Sequence, residues 1–242
     1  MTLHLHSAAV TDRGLVRSAN QDSVYAGTRL LAVADGMGGM AAGDLASAIA
    51  IEEIAKADAD HDPDALVEAL RVVIDAASAR IRAAVEEDPA REGMGTTLTA
   101  LLFAPDNSAV ALAHIGDSRA YLRRDGFTQQ MTKDDTFVQM LVDEGVITPD
   151  EASVHPRRAV ITQALQGDPV EPAYTTMTPR PGDRWLLCSD GLSNVVREET
   201  IDDALATHPD RDACAHRLVD LARRAGGPDN ITVVVADLLA AP

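Results

Sequence analysis

The sequence predicts an α+β fold built on antiparallel sheets. Three observations predict it: β-like runs cluster, helical runs come in pairs, and the regular strand-helix alternation of a doubly wound parallel sheet is missing. Residues 3 to 10 and 23 to 34 read as strands, separated by the turn-like "TDRG". "AAGDLASAIAIEEIAKA" (41–57) has helical spacing. "DADHDPDALVEALRVVIDAASARIRAAVEE" (58–87) follows as a second long helix, begun by Asp62 as N-cap and Pro63 at the first helical position. After "GMG" come the strands "TTLTALLFA", "AVALAHIG" and "RAYLRRDG", with "PDNS" as a tight turn between the first two. Residues 133 to 170 read as short helices and loops, and "TPDE" at 148–151 has capping-box form. "DRWLLCSDG" then reads as a strand, "REETIDDALAT" and "DACAHRLVDLARRA" as helices, and "ITVVVADLL" as the final strand.

Composition narrows the classes of function. The 242 residues are 46% hydrophobic and 24% charged, ordinary for a globular protein with a substantial core. Only 3% are aromatic, so that core rests on Ala, Val, Leu and Ile. A formal charge of −17 repels phosphate backbones and anionic lipid, which argues against nucleic acid and membrane surfaces as partners. Cys188 and Cys214 have no second Cys or His at zinc-ligand spacing, and no arginine six positions on as a cysteine phosphatase requires. Cys188, inside "WLLCS", reads as a core residue. No signal peptide and no apolar run of about 20 residues is present, so the expectation is a cytoplasmic chain without membrane contact of its own. The sequence leaves open a continuation, with a membrane anchor, beyond "ITVVVADLLAAP".

The stretch "LLAVADGMGGMAAGDLASAIAI" (30–51) admits two readings. "GMGGMA" (36–41) satisfies G-x-G-x-x-A between a strand and a helix, as a dinucleotide-binding turn does. That unit should continue into a second parallel strand bearing an acidic residue, yet a second helix follows. Asp35 would also set an uncompensated carboxylate beside the pyrophosphate. The second reading is a metal site. "AHIGD" delivers Asp117 and "WLLCSD" delivers Asp190 at strand ends, while "GPDN" and "ANQD" place Asp229 and Asp22 just before strands. Such crowded carboxylates repel one another unless cations or protons intervene. Oxygen-only ligation favours Mg²⁺ or Mn²⁺ over zinc. The acidic run "DADHDPD" (58–64) is not a calcium loop, because Pro63 and Ala69 occupy the turn-glycine and bidentate-glutamate positions. No D-x-D-x-[TV] follows a strand, so an aspartyl-phosphate mechanism is not indicated.

Six ordered motifs carry a resemblance: "RSANQD" (17–22), "VADGMGG" (33–39), "GMGTTLTA" (93–100), "HIGDSRAYL" (114–122), "LLCSDGL" (186–192) and "GPDNITVVV" (227–235). The chain resembles the metal-dependent protein phosphatase (PPM, type 2C) family over nearly its whole length. "TKDDTFVQMLVDEGVITPDEA" is similar to the bacterial branch, and the chain most resembles that branch's actinobacterial members. The resemblance implies a four-layer α-β-β-α sandwich, two central antiparallel sheets flanked by antiparallel helix pairs, with 1–242 one catalytic domain and 131–170 a flap subdomain within it.

It also implies roles. Asp35 matches the aspartate bridging two divalent ions, Mn²⁺ or Mg²⁺, and the Gly36 carbonyl matches a ligand to one of them. Asp190 and Asp229 match ligands completing the other ion. Asp117 matches a ligand of a third, weaker site sharing Asp190, and Asp22 an acidic residue acting directly or through water. Arg17 matches the arginine that holds the substrate phosphate, a geometry its planar fork suits. The implied chemistry is in-line attack of a bridging hydroxide on a phosphoserine or phosphothreonine monoester, without a phospho-enzyme.

Two departures stand out. Met37 replaces a histidine proposed as general acid, leaving His114 and His155 as sequence candidates, with His114 expected in the core. Gln21 replaces a glutamate some members carry. Arg157 and Arg158 bring the densest positive charge to the expected flap. The implied partners are phosphorylated proteins, bacterial Ser/Thr kinases and their substrates among them, met by a monomer; an anti-sigma-antagonist substrate is a close variant. A phosphoprotein-binding module with weak or no catalysis is the alternative.

Overall fold

Runs such as "LLAVA" (30–34) and "VVVA" (233–236) are apolar at every position, so these strands have to be covered on both faces. The computed structural model, which describes residues 3–38 and 42–240, shows how. In chain order the elements are β1 (Leu3–Asp12), β2 (Asp22–Ala26), β3 (Leu30–Met37), α1 (Gly43–Ile54), α2 (Leu66–Glu87), β4 (Gly95–Thr96), β5 (Leu98–Phe103), β6 (Val110–Ile115) and β7 (Arg119–Arg124). They continue as β8 (Phe127–Gln130), α3 (Phe137–Asp143), α4 (Pro149–Ser153), β9 (Ala173–Met177), β10 (Arg184–Cys188), α5 (Asp190–Ser193), α6 (Glu198–Thr207), α7 (Arg211–Arg224) and β11 (Ile231–Ala240). The strands form two antiparallel sheets, ordered β1-β11-β10-β7-β8 and β2-β3-β5-β6-β9, with β4 paired to β3.

Alternate side chains build three apolar layers between four structural ones. On β3, Leu30, Ala32 and Ala34 face Ile49, Leu70 and Ile74 of the α1–α2 pair, while Leu31 and Val33 face the other sheet. On β11, Val233 and Val235 face Leu205 and Leu218 of the α6–α7 pair, while Val234 and Ala236 meet Leu101, Phe103 and Trp185 between the sheets. The expected α+β sandwich with flanking helix pairs is therefore the observed one.

Differences lie at boundaries and edges. The second helix, expected to begin at Pro63 behind an Asp62 cap, starts as α-helix at Leu66. Pro63 opens a 3₁₀ turn over 63–65 instead, and the Asp62 side chain makes no cap bond. The first helix ends in a 3₁₀ turn over 55–57, and Ala41, its expected first residue, lies outside the described residues. β8 (FTQQ) and β9 (AYTTM) were not anticipated. Both are terminal strands of their sheets with few apolar residues, so neither carries a buried-strand pattern. The "TPDE" capping box is present, with Thr148 Oγ1 accepting from Glu151 N at 3.3 Å and Thr148 N donating to Glu151 Oε2 at 2.8 Å.

Residues 131–170 carry α3 and α4. A single bridge, Thr136 to Ile161, closes the segment on itself, and another, Thr96 to Leu165, ties it to the body. The Arg157 guanidinium lies 3.8 Å from the centre of the Phe137 ring. No helix among the described residues is long and apolar enough to cross a membrane.

Candidate metal centre

The site assembles at one end of the two sheets, where strands stop and carboxylates can stand at a rim. Asp35, near the end of β3, lies directly opposite Asp22, the first residue of β2. Thr97 fixes the Asp35 backbone from both sides: its Oγ1 accepts from Asp35 N at 3.0 Å, and its N donates to Asp35 O at 2.9 Å. Thr96 Oγ1 donates to the same carbonyl at 2.9 Å. Asp117 follows β6, Asp190 follows β10 and Asp229 precedes β11, so both sheets contribute.

Glycines allow the close approaches. A Cβ on Gly36 would collide with the carbonyl oxygens of Gly43 and Gln21, and one on Gly191 with the carbonyl oxygen of Asn230. Gly191→Ala should therefore cost about 2 kcal/mol, or roughly 6 °C in Tm for a chain of this size. Thermal unfolding in chelator checks this apart from any effect on metal binding.

The electrostatics are those of a crowd of like charges. Asp22 and Asp117 are buried, and each leaves its Oδ1 without a hydrogen-bond partner. Burial first, then Asp190, pushes Asp117 up to about 8. Burial pushes Asp22 up to about 6, against the pull of hydrogen bonds from Thr232 and Ser189. Asp35 is raised well above the usual carboxylate range by burial and by Asp22, Asp190 and Asp117. Asp190, raised by burial and by Asp229, lies within hydrogen-bonding reach of Asp35. Asp35 and Asp190 are nonetheless only half-buried. Each is packed against protein on one side and remains reachable from water on the other.

Arg17 supplies a cation at the rim. Its Nη2 donates to Asp229 Oδ2 at 2.6 Å, and that bond raises its pKa further. Among the described residues, no three His, Cys, Asp or Glu side chains stand ready-arranged as a metal cage. The donor set still fits hard divalent ions. It is oxygen-only, two buried carboxylate oxygens lack partners, and positive charge would relieve the repulsion that raises the carboxyl pKa values.

Several supporting residues were missed from sequence. Asn230 Oδ1 accepts from Gln21 N at 2.8 Å, while Nδ2 donates to the carbonyls of Arg13 (3.0 Å) and Ala19 (2.9 Å). It thus pins the loop that carries Arg17. Ser189 Oγ donates to Asp22 Oδ2 at 2.8 Å, joining one sheet to the other. Asn194 Nδ2 donates to Asp190 Oδ2 at 2.9 Å, an i,i+4 relation the sequence does offer. Asp134 grips Arg119 through both its oxygens, at 2.9 and 2.7 Å from Nε and Nη2, beside Asp117.

The histidine candidates separate. His114 is buried, with Nδ1 against Thr99 Oγ1 at 2.9 Å and Nε2 against the Lys133 carbonyl at 3.0 Å. Burial lowers its pKa, and it is the core residue expected. His155 accepts from Arg157 N at 3.1 Å within the 131–170 segment. Met37 sits at 3.9 Å from Gln166 Nε2. Gly39, Met40 and Ala41 of the glycine-rich turn lie outside the described residues.

Comparison with known proteins decides the family. The protein phosphatase 2C family model matches residues 16–227. The chain belongs to the protein phosphatase 2C family. It is 57% identical over 239 residues to the serine/threonine protein phosphatase PstP of Mycobacterium tuberculosis, covering 99% of this chain and 46% of that protein. This chain therefore spans about half the length of that relative. Protein phosphatase PhpP of Streptococcus pneumoniae is 37% identical over 238 residues, covering 95% of this chain and 96% of that one. The fold superposes on a crystal structure of M. tuberculosis PstP with a TM-score of 0.95 at 56% identity, covering 98% of this chain and all of that one. A second structure, of the PstP catalytic domain in complex with two manganese ions, gives 0.92 at 56% identity, covering 99% of this chain and 100% of that one. The resemblance carried by the six motifs is thereby borne out, as is the bacterial branch. The dinucleotide reading is overturned by this membership and by the antiparallel pairing of β3 on both sides.

Proposed function

We propose that this chain is a divalent-metal-dependent phosphatase of phosphoserine and phosphothreonine in proteins, using two Mn²⁺ or Mg²⁺ ions and a weaker third. The observation that carries the proposal is the meeting of Asp35 with Asp22 and Asp190 at one rim, all three held above the usual carboxylate range. Asp35, the Gly36 carbonyl, Asp190 and Asp229 would hold the two ions, with Asp35 the carboxylate shared between them. Asp117 and Asp190 would hold the third, and Asp22 would act directly or through water.

When bound, the ions lower the pKa of a ligated water and place positive charge opposite the phosphate. The chain supplies the rest. Arg17, half exposed on a loop pinned by Asn230, is close enough to exchange its Asp229 contact for a phosphate oxygen and orient the monoester in line. His114, with both ring nitrogens engaged, is not the proton donor to the departing Ser or Thr oxygen. Residues 1–242 act as one catalytic unit. The 131–170 flap, from which Arg158 lines a groove that also reaches Asp117, helps select phosphoproteins. Opposition to bacterial Ser/Thr kinases, as a monomer in the cytoplasm, is the setting this chemistry fits.

The test is hydrolysis of a phosphothreonine peptide with Mn²⁺ and then with excess chelator. Metal-dependent phosphate release supports the proposal. Folded protein that binds the peptide without hydrolysing it would replace it with the phosphoprotein-binding module. Arg17→Ala should lower kcat/KM about a hundredfold, chiefly through KM, since a charge-assisted bidentate contact is lost. An unchanged KM would remove Arg17 from phosphate binding.

A further inference from the structure

Two cavities join beside β8. The larger, about 690 Å³, starts at Asp117 and runs between Val138 and Val142 of the 131–170 segment and Arg197 at the start of α6. The smaller, about 320 Å³, continues it, with Gln130, Glu198 and Glu199 lining both. Its remaining walls include Tyr121, Phe127 and Asp202, so it has three carboxylates and no basic side chain.

Phe127 is the notable member. The chain has three phenylalanines, and this one is 80% exposed. The two-residue link Asp125–Gly126, with φ of 53° and 87°, turns β7 tightly into β8 and fixes where the ring stands. A lone exposed apolar side chain carries no meaning, but this one walls a cavity that adjoins the larger one lined by Asp117. Asp202 is already engaged by Arg123 and Thr128, and Glu198 stands 3.8 Å from Arg119. Glu199 makes no ion pair among the described residues. An aromatic face beside an unpaired carboxylate is the setting that binds a primary ammonium or a guanidinium.

We propose that the smaller cavity takes a lysine or arginine side chain of the phosphoprotein substrate, whose polypeptide lies along the joined grooves from the phosphorylated residue at the metal centre. The proposal rests on the phosphatase reading of that centre. The spacing follows from the strands. Asp117 precedes Tyr121 by four residues, and Phe127 lies three residue pairs beyond the Tyr121–Gln130 pair. At about 3.3 Å per residue this is at most roughly 23 Å, since Asp117 and Ser118 precede the strand, and an extended peptide covers it with up to about seven residues.

The experiment compares the full chain, loaded with Mn²⁺, on phosphothreonine peptides bearing one lysine or arginine at successive positions four to nine residues to either side, against the alanine peptide. Para-nitrophenyl phosphate, too small to reach the far cavity, is the control. The expected result is a kcat/KM about fivefold higher for a basic residue near seven positions away, on one side only, shrinking as salt rises. Phe127→Ser and Glu199→Gln should abolish that preference and leave para-nitrophenyl phosphate hydrolysis unchanged. Equal rates for basic and alanine peptides at every position, or a preference surviving both variants, overturns the proposal. Failure of wild-type protein on every substrate overturns the phosphatase reading instead. In that case peptide binding followed by fluorescence anisotropy still tests the cavity, and equal affinity of wild type and Phe127→Ser for the basic peptide overturns it.

Discussion

Asp35→Asn is expected to lower kcat/KM for a phosphothreonine peptide at least a thousandfold, about 4 kcal/mol of transition-state stabilisation. Asn keeps the shape of the side chain and its backbone bonds to Thr97, but loses the charge that would hold two ions together. The same change should raise the stability of the metal-free protein. Burial and the charges of Asp22, Asp190 and Asp117 all oppose ionisation of Asp35, so a neutral amide there relieves repulsion. The signature is a variant with higher Tm in chelator and a smaller gain on adding Mn²⁺. Wild-type turnover by Asp35→Asn, or a lower Tm in chelator, would contradict the role of Asp35 in charge balance.

Stability of the metal-free protein should fall as pH rises from about 4 to about 8. In the folded chain Asp22 is pushed up to about 6 and Asp117 up to about 8, from an ordinary value of 3.8, and Asp35 and Asp190 are raised as well. Over that window the folded state holds more protons than the unfolded one. The stability they contribute is full below the unfolded value and is lost as pH climbs through the folded values. Several kcal/mol are at stake across the group. Excess Mn²⁺ should reverse the slope, because binding requires ionised carboxylates and releases their protons. Glu53 works the other way. Its pKa is lowered by Lys56, so its contribution is lost only as pH falls through the carboxylate range. Thermal unfolding at pH 5, 6.5 and 8, with chelator and with Mn²⁺, measures both slopes. A chelator series that is flat, or that rises with pH, would show that the carboxylates are not crowded in solution.

Much of the fold and most of the candidate site are legible in the sequence because both are written in short-range patterns. A strand buried on both faces is a continuous apolar run, and "LLAVAD" and "WLLCSD" announce both the strand and the carboxylate at its end. Helix pairs follow from helical spacing without an intervening strand. The family follows from six such segments in order. Edge strands β8 and β9 escape this reading, since only one side of each is paired and their side chains need not be apolar. The start of α2 escapes it as well, because Pro63 and Asp62 signal a helical beginning equally well for a 3₁₀ turn.

By itself the sequence determined which residues carry charge, which runs can be buried, and that five aspartates stand beside strands. Only the tertiary structure decided that Asp22 lies opposite Asp35, that Asn230 pins the Arg17 loop across 209 residues of chain, and that Ser189 links the sheets. It also decided the burial that raises Asp22, Asp35 and Asp117, and the placing of Phe127 on a groove that adjoins the one lined by Asp117. The physical reason is range. Apolar periodicity and turn chemistry act between neighbours along the chain, whereas desolvation and Coulomb repulsion depend on which distant segments the folded core brings within a few ångströms.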